Sequence, residues 1–220
     1  MGYIGLVPSF VPAQMLEDEP LRFQSAAYFD APLRESRYFV CVPSLGSMVP
    51  GWVLISPKRP VLCMDELTSE EVEDFQAFFA ELSSEVSRTF GPISAFEHGA
   101  RSPGSATGCG VDQAHLHIVP INFQRLWAEV SASQVWYEQS LAVTHNASLP
   151  TREYLWVSNG STAQIAYPTV PTSQFFRRAI ARIIGAEAQW DYRNYPFHEH
   201  IAETRRVLST AAEPPQSRAA

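Results

Sequence analysis

The most constraining feature of the sequence is a strict alternation of polar and apolar residues in the segment QAHLHIV, residues 113–119. Successive side chains of a β-strand point to opposite faces, so Gln113, His115 and His117 are predicted to share one face. The apolar residues between them are predicted to point into a core. Three nitrogen-bearing side chains in a row suit an active site better than a core, so this strand is our first candidate for function.

Further segments with strand-like patterns lie on both sides of this one. Residues 37–43 and 52–60 are rich in aromatic and β-branched residues and flank a turn with glycine and proline, which predicts a hairpin. Residues 93–99 predict another strand. Residues 153–167 predict a second hairpin, with an Asn-Gly turn at residues 159–160. Together these segments predict an antiparallel sheet.

Helical periodicity is clearest between about residues 69 and 89. Thr68 followed by Glu71 forms a capping-box pattern, and the helix is expected to stop before Gly91. Its apolar stripe is expected to pack across the sheet. Strands and helices in this arrangement give an α+β class, with the helices on one side of an antiparallel sheet.

Two further helices are predicted towards the C-terminus. The first covers residues 171–185, is capped near Thr172 or Ser173, and carries Arg177 and Arg178. Arginine suits bidentate phosphate binding, although a solvated helix face is the ordinary role for at least one of these two. The second is a short helix near residues 197–208, and a disordered tail is expected from about residue 209.

Composition narrows the functional classes. The net charge of −7, from 16 Lys and Arg against 23 Asp and Glu, argues against a broad nucleic-acid surface. The sequence has three cysteines and no CxxC pair, so neither a zinc knuckle nor a disulfide framework is expected. No long apolar run and no secretory signal is present, which predicts a cytoplasmic protein without a membrane partner.

Three chemical interpretations of the histidine segment stay open from the residues alone. Two histidines separated by one residue can simply face solvent. They can also ligate a metal, for which His98 is an available third ligand, although no acidic motif lies at familiar metal spacing. Finally, a neutral imidazole can attack phosphorus and form a covalent intermediate. The preceding GSATGCG segment, residues 104–110, favours this third interpretation because glycine lets backbone N–H groups approach a phosphate closely.

At this point the sequence resembles the histidine-triad superfamily of nucleotide hydrolases and transferases. The mark of that superfamily is His-φ-His-φ-His-φ-φ, with φ apolar, and QAHLHIVP matches it with Gln113 in the first histidine place. His115 falls on the nucleophile of the family and His117 on its third histidine. MVPGWVLISPKRP, residues 48–60, looks like the family's hairpin, with Trp52 where histidine is usual. The resemblance covers about residues 35–122.

The resemblance implies a histidine-triad-like fold with a sheet of about five strands and two helices, often doubled by dimerisation. It divides the chain into an N-terminal segment (1–36), a core (37–122), a C-terminal helical and hairpin extension packed on the core (123–208) and a tail (209–220). The implied substrate is a nucleotide or nucleotide conjugate, attacked at the α-phosphorus, and no metal or cofactor is required in most branches.

The resulting site prediction has three groups. The residues assigned to catalysis are His115 as nucleophile, His117 and Gln113. Residues expected to bind phosphate or nucleotide are Gly108, Cys109, Gly110, Ser105, Thr107, Glu97 and His98. His115 is expected to attack through one neutral ring nitrogen while the other donates to a backbone carbonyl or another nearby acceptor. His117 is expected to help hold the phosphate oxygens and to protonate the leaving group. Because glutamine and tryptophan replace two family histidines, a nucleotide-binding or scaffold protein without turnover is the alternative.

Overall fold

A computed structural model describes residues 31–139 and 152–211 and has an eight-stranded, wholly antiparallel sheet at its centre. The strand order is β1-β2-β3-β5-β4-β7-β8-β6. The strands are β1 (Arg34–Glu35), β2 (Phe39–Pro43), β3 (Val53–Pro57), β4 (Ser94–Gly99), β5 (Leu116–Val119), β6 (Trp136–Gln139), β7 (Tyr154–Ser158) and β8 (Ala163–Ala166). The predicted α+β class and both predicted hairpins are confirmed.

The prediction of about five strands was too low, and the topology shows why. Five strands, β1 to β5, come from the first part of the chain, and β7 then pairs with the free edge of β4. β8 and β6 continue the sheet beyond β7. The sheet therefore runs without a break from the segment predicted as the core into the segment predicted as the extension. The boundaries of those segments stay predictions.

Four α-helices accompany the sheet in the described residues: α1 (Ser69–Phe90), α2 (Phe123–Val130), α3 (Phe175–Ile183) and α4 (His198–Ala211). The first confirms the sequence prediction closely, because Thr68 and Glu71 form both hydrogen bonds of the capping box. Short 3-10 helices lie at Met64–Glu66 and Glu187–Gln189. The sequence patterns did not predict β1, β6 or α2.

Helices cover both faces of the sheet, which corrects the prediction of helices on one side. On one face, Ala95, Leu116 and Trp156 pack with the apolar stripe of α1. On the other face, Phe96 and Leu155 pack with α2 and α3. Every residue of β4 and of β7 is buried. Strands buried on both faces tend to have continuous rather than alternating apolar runs, and YLWV in β7 has this pattern, whereas SAFEHG in β4 does not.

Three predicted boundaries also move. The histidine strand begins at Leu116, so Gln113 and His115 precede it as extended chain instead of lying within it. α3 begins after Gln174, whose left-handed φ of 56° takes the place of the cap predicted at Thr172 or Ser173. α4 continues through Ala211, into the predicted tail, and residues 212–220 lie outside the described residues.

In the part of the chain that the structure describes, no helix is both long and apolar enough to cross a membrane.

Candidate active site

Three of the six histidines meet on the face of the sheet that α3 covers. His117 lies on β5, His98 lies on the neighbouring strand β4, and His115 comes just before β5. The ring centroids of His115 and His117 are 5.0 Å apart, and those of His98 and His117 are 6.2 Å apart. Phe96 stacks on His117 at 4.3 Å. We call His98, His115 and His117 the histidine cluster.

His115 is held by the backbone two residues before it. Its Nδ1 lies 2.8 Å from the carbonyl oxygen of Gln113. A carbonyl oxygen only accepts hydrogen bonds, so Nδ1 carries the ring proton and Nε2 keeps its lone pair. Burial, opposed by this bond, lowers the pKa of His115 below its usual value, and the charge of Arg177 lowers it further. The half-buried ring is therefore neutral at neutral pH and has a lone pair at Nε2.

His117 is held by a side chain, and its Nδ1 accepts a hydrogen bond where Nδ1 of His115 donates one. The indole Nε1 of Trp52 donates to Nδ1 of His117 across 3.0 Å, and both residues are buried. Because the indole N–H can only donate, Nδ1 of His117 is the acceptor and Nε2 carries the proton. Burial places the pKa of His117 well below its usual value, and His115, His98 and Arg177 lower it further. A role as a proton donor of ordinary pKa, which the sequence suggested, does not fit this environment.

His98 completes the cluster from β4. Its Nε2 accepts from the backbone N–H of Phe176, at the start of α3, at 3.4 Å. Nδ1 is buried and has no partner in the structure. Burial lowers the pKa of His98 to about 3, so its ring is neutral at physiological pH. Of the pair Glu97 and His98, it is His98 that lies beside His115 and His117.

Glu97 lies on the other face of the sheet, against α1. Its carboxylate accepts from the backbone N–H of Met64 and from the hydroxyl of Tyr154, each at 2.7 Å. Burial raises the pKa of this carboxyl to about 7. The alternation of β4 separates Glu97 from His98, so the structure does not bring Glu97 to the histidine cluster.

The side chain of Gln113 turns away from the two histidine rings. Its amide nitrogen donates to the carbonyl oxygens of Pro57 and Arg59, at 2.9 and 3.2 Å, and lies 3.4 Å from the hydroxyl of Ser56. This amide ties the extended chain before β5 to the end of β3. Gln113 therefore meets the site through its backbone carbonyl, which orients His115.

In the glycine loop, residues 100–110, the backbone N–H groups of residues 108–110 donate to acceptors within the loop itself. The N–H of Gly108 donates to the Ser105 hydroxyl, that of Cys109 to the Ala106 carbonyl and that of Gly110 to the Ser105 carbonyl. The hydroxyls of Ser105 and Thr107 both donate to the carboxylate of Glu153. The donors that the sequence suggested for phosphate therefore have partners in this structure, and a phosphate would have to displace them.

Arg177 is the site residue whose burial the sequence analysis did not foresee. Its guanidinium carbon lies 4.6 Å from the ring centroid of Trp52, and the residue is 3% exposed. Its donors reach the carbonyls of Trp190 and Gly46, and none of the ion pairs among the described residues includes it. The signal available in the sequence was the apolar character of α3, FFRRAIARI, in which six of nine residues are apolar; the structure buries five of the nine, Arg177 among them. Arg178, in contrast, stacks on Trp190.

Within the described ranges, no group of three or more His, Cys, Asp or Glu side chains is arranged to hold a metal ion.

Comparisons with known proteins add a structural likeness. No protein-family model matches the sequence, and no curated protein matches it. A solved structure of a Hit-like protein involved in cell-cycle regulation from Bartonella henselae, with an unknown ligand, aligns with a TM-score of 0.37 and 17% identity. That alignment covers 42% of this chain and 70% of the other.

Proposed function

We propose that this protein is a nucleotidyl hydrolase or transferase of the histidine-triad type, which forms a nucleotidyl intermediate on His115. The observation that carries the proposal is the 2.8 Å contact between His115 Nδ1 and the Gln113 carbonyl. It leaves the lone pair of Nε2 for attack on phosphorus without any prior proton transfer. The sequence motif, with His115 in the nucleophile place, supports the same assignment.

The surroundings of His115 suit an anionic substrate. Arg177 is a buried cation without an ion-pair partner among the described residues, and an uncompensated buried charge favours a ligand of opposite sign. His117 Nε2–H and the unpartnered Nδ1 of His98 supply two neutral donors beside it. We assign the phosphate oxygens to these side chains. A role for Gly108, Cys109 and Gly110 in phosphate binding remains a prediction.

The proposed reaction has two steps. His115 Nε2 attacks the α-phosphorus, the Nε2–P bond forms, and the bond from phosphorus to the leaving group breaks with its electron pair going to the leaving group. The Nδ1 proton stays shared with the Gln113 carbonyl, so the ring becomes a cationic nucleotidyl-imidazolium. Water or another acceptor hydroxyl then attacks phosphorus, the electron pair returns to Nε2, and the acceptor's proton passes to solvent.

The second candidate function is nucleotide binding without turnover. The internal bonding of the glycine loop favours it, because a loop that already satisfies its donors offers no prepared anion site. The homodimer and the cytoplasmic location suggested by the sequence remain predictions under either function.

Intact-protein mass spectrometry after brief exposure to dinucleoside polyphosphates and nucleotide sugars tests the proposal. We expect a mass gain of one nucleotide, and we expect His115→Ala to lose this adduct while retaining nucleotide binding. His200→Ala is the matched control, because His200 Nδ1 also lies 2.7 Å from a backbone carbonyl, that of Ser47, outside the cluster. Nucleotide binding without any adduct would establish the second candidate instead.

A further inference from the structure

The bond between Trp52 and His117 restricts what His117 can do during a reaction. Trp52 is fully buried and His117 is 5% exposed, so water cannot replace either partner at low cost. Protonation of His117 at Nδ1 would place its N–H opposite the indole N–H of Trp52, and two donors cannot form a hydrogen bond. The ring is therefore confined to the tautomer with its proton on Nε2, which can donate a hydrogen bond but has no second proton to release.

Trp52 is itself fixed from two sides. Its ring meets Phe96 edge-on at 5.9 Å, and the guanidinium of Arg177 lies over it. Gly46 leaves room for that guanidinium, since a Cβ there would stand 2.5 Å from Nη2 of Arg177. The positive charge also opposes protonation of all three cluster histidines. The indole and the guanidinium thus act together on His117.

Other titratable groups near the cluster are poor proton donors too. His98 accepts a backbone N–H at Nε2 and is neutral at pH 7. Cys109 uses its sulfur as an acceptor for the Gln174 N–H and has a pKa raised by burial. Glu97, with a pKa near 7, lies on the opposite face of the sheet. Arg177 retains its proton, because its pKa, although lowered by burial, is about 10.

We propose, on the basis of the function above, that Trp52 is a positioning residue that keeps His117 a neutral hydrogen-bond donor, so that the leaving group departs without a proton from the protein. The site then selects substrates by the acidity of the leaving group. Phosphoanhydrides, whose leaving group is a stable phosphate anion, react. Nucleoside phosphoramidates and esters of weakly acidic alcohols, which need a proton at the departing atom, react poorly.

A series of aryl esters of a purine and a pyrimidine nucleoside 5′-monophosphate tests this selection. Adduct formation is measured in a single turnover as the phenol is made less acidic. In the wild-type protein we expect the rate to fall roughly threefold or more for each unit of phenol pKa. Trp52→Phe keeps an aromatic ring but removes the donor, so its rates should depend less on the phenol. Trp190→Phe, which removes an indole stacked on Arg178 instead, should retain the wild-type dependence.

Nitrogen NMR of the wild-type protein provides a readout that needs neither turnover nor a variant. We expect the acceptor signature at Nδ1 of His117, the N–H signature at Nε2, and no titration between pH 8 and 5. An ordinary imidazole titration, or a flat dependence of adduct formation on the phenol, overturns the inference while the proposed function stands. If no ester forms an adduct, the proposed function fails, and the NMR spectrum alone decides whether Trp52 confines His117.

Discussion

The side-chain amide of Gln113 donates to the main-chain carbonyl of Pro57 at 2.9 Å, while the backbone carbonyl of the same glutamine accepts from His115. One residue therefore fastens the histidine segment to β3 and orients the proposed nucleophile. The side chain of Gln113 acts on the position of the chain, and the hydrogen bond to His115 does not depend on it because the backbone makes that bond.

We expect Gln113→Ala to lower the free energy of unfolding by about 1 to 2 kcal/mol, since it removes the amide contacts with β3. The adduct on His115 should still form, because the backbone carbonyl remains. Gln113→His should also retain the adduct, since an imidazole N–H can replace one of the donated bonds. Denaturant unfolding and mass spectrometry measure both effects. Gln76→Ala, at an exposed position of α1, is the control, and loss of all nucleotide binding in Gln113→His would contradict this account.

Removal of the charge of Arg177 should change the pH profile of adduct formation. Burial and Arg177 lower the pKa of His115, so the wild-type rate should hold below pH 6.5 before it falls as Nε2 becomes protonated. In Arg177→Met the acid limb should move to higher pH, on the order of half a unit. Arg178→Met removes the same charge one position further along α3 and should leave the limb in place. Equal shifts in the two variants would show a general effect of net charge.

Acid should destabilise the protein through His98. The folded pKa is about 3 and the ordinary value is 6.5, so below pH 6.5 the unfolded chain binds a proton that the folded chain excludes. Stability is therefore lost as pH falls. By pH 5, the wild type should lose about 2 kcal/mol relative to His98→Gln, which keeps an acceptor for the Phe176 N–H. Denaturant unfolding between pH 7 and 5 measures the difference, and parallel curves for the two proteins would refute the burial of a neutral His98.

Glu97 should show the opposite dependence. Its folded pKa of about 7 exceeds the ordinary 4.5, so the folded chain binds the extra proton between these values, and stability is lost as pH rises through them. Relative to Glu97→Gln, the wild type should lose about 3 kcal/mol between pH 4.5 and pH 8. Adduct formation on His115 should be unchanged in Glu97→Gln, because the carboxyl lies on the opposite face of the sheet and contacts Met64 and Tyr154. A large loss of adduct in Glu97→Gln would contradict this account and would show that Glu97 contributes to the site.

Local patterns were sufficient to predict much of the framework. The capping box of Thr68 and Glu71, the Asn-Gly hairpin and the pairing of β2 with β3 depend on residues close together in the chain, and the structure has all of them. His98 and His117 lie side by side because β4 and β5 are adjacent strands and side chains alternate along each strand. The period of two is visible in the sequence, but the register and the strand order are not.

The sequence by itself determined the chemistry available, which is two histidines at a spacing of two among strands apolar enough to be buried. Only the tertiary structure decided which nitrogen of His117 carries the proton, because that depends on Trp52, 65 residues away. The lowered pKa values of the histidine cluster likewise depend on burial and on Arg177, which comes from a helix beyond the first five strands. The tertiary structure also places Glu97 on the opposite face of the sheet from the histidines, and it pairs the N–H groups of the glycine loop with acceptors in the loop. Protonation is a property of the completed environment, since desolvation and distant charges act only after the chain has folded.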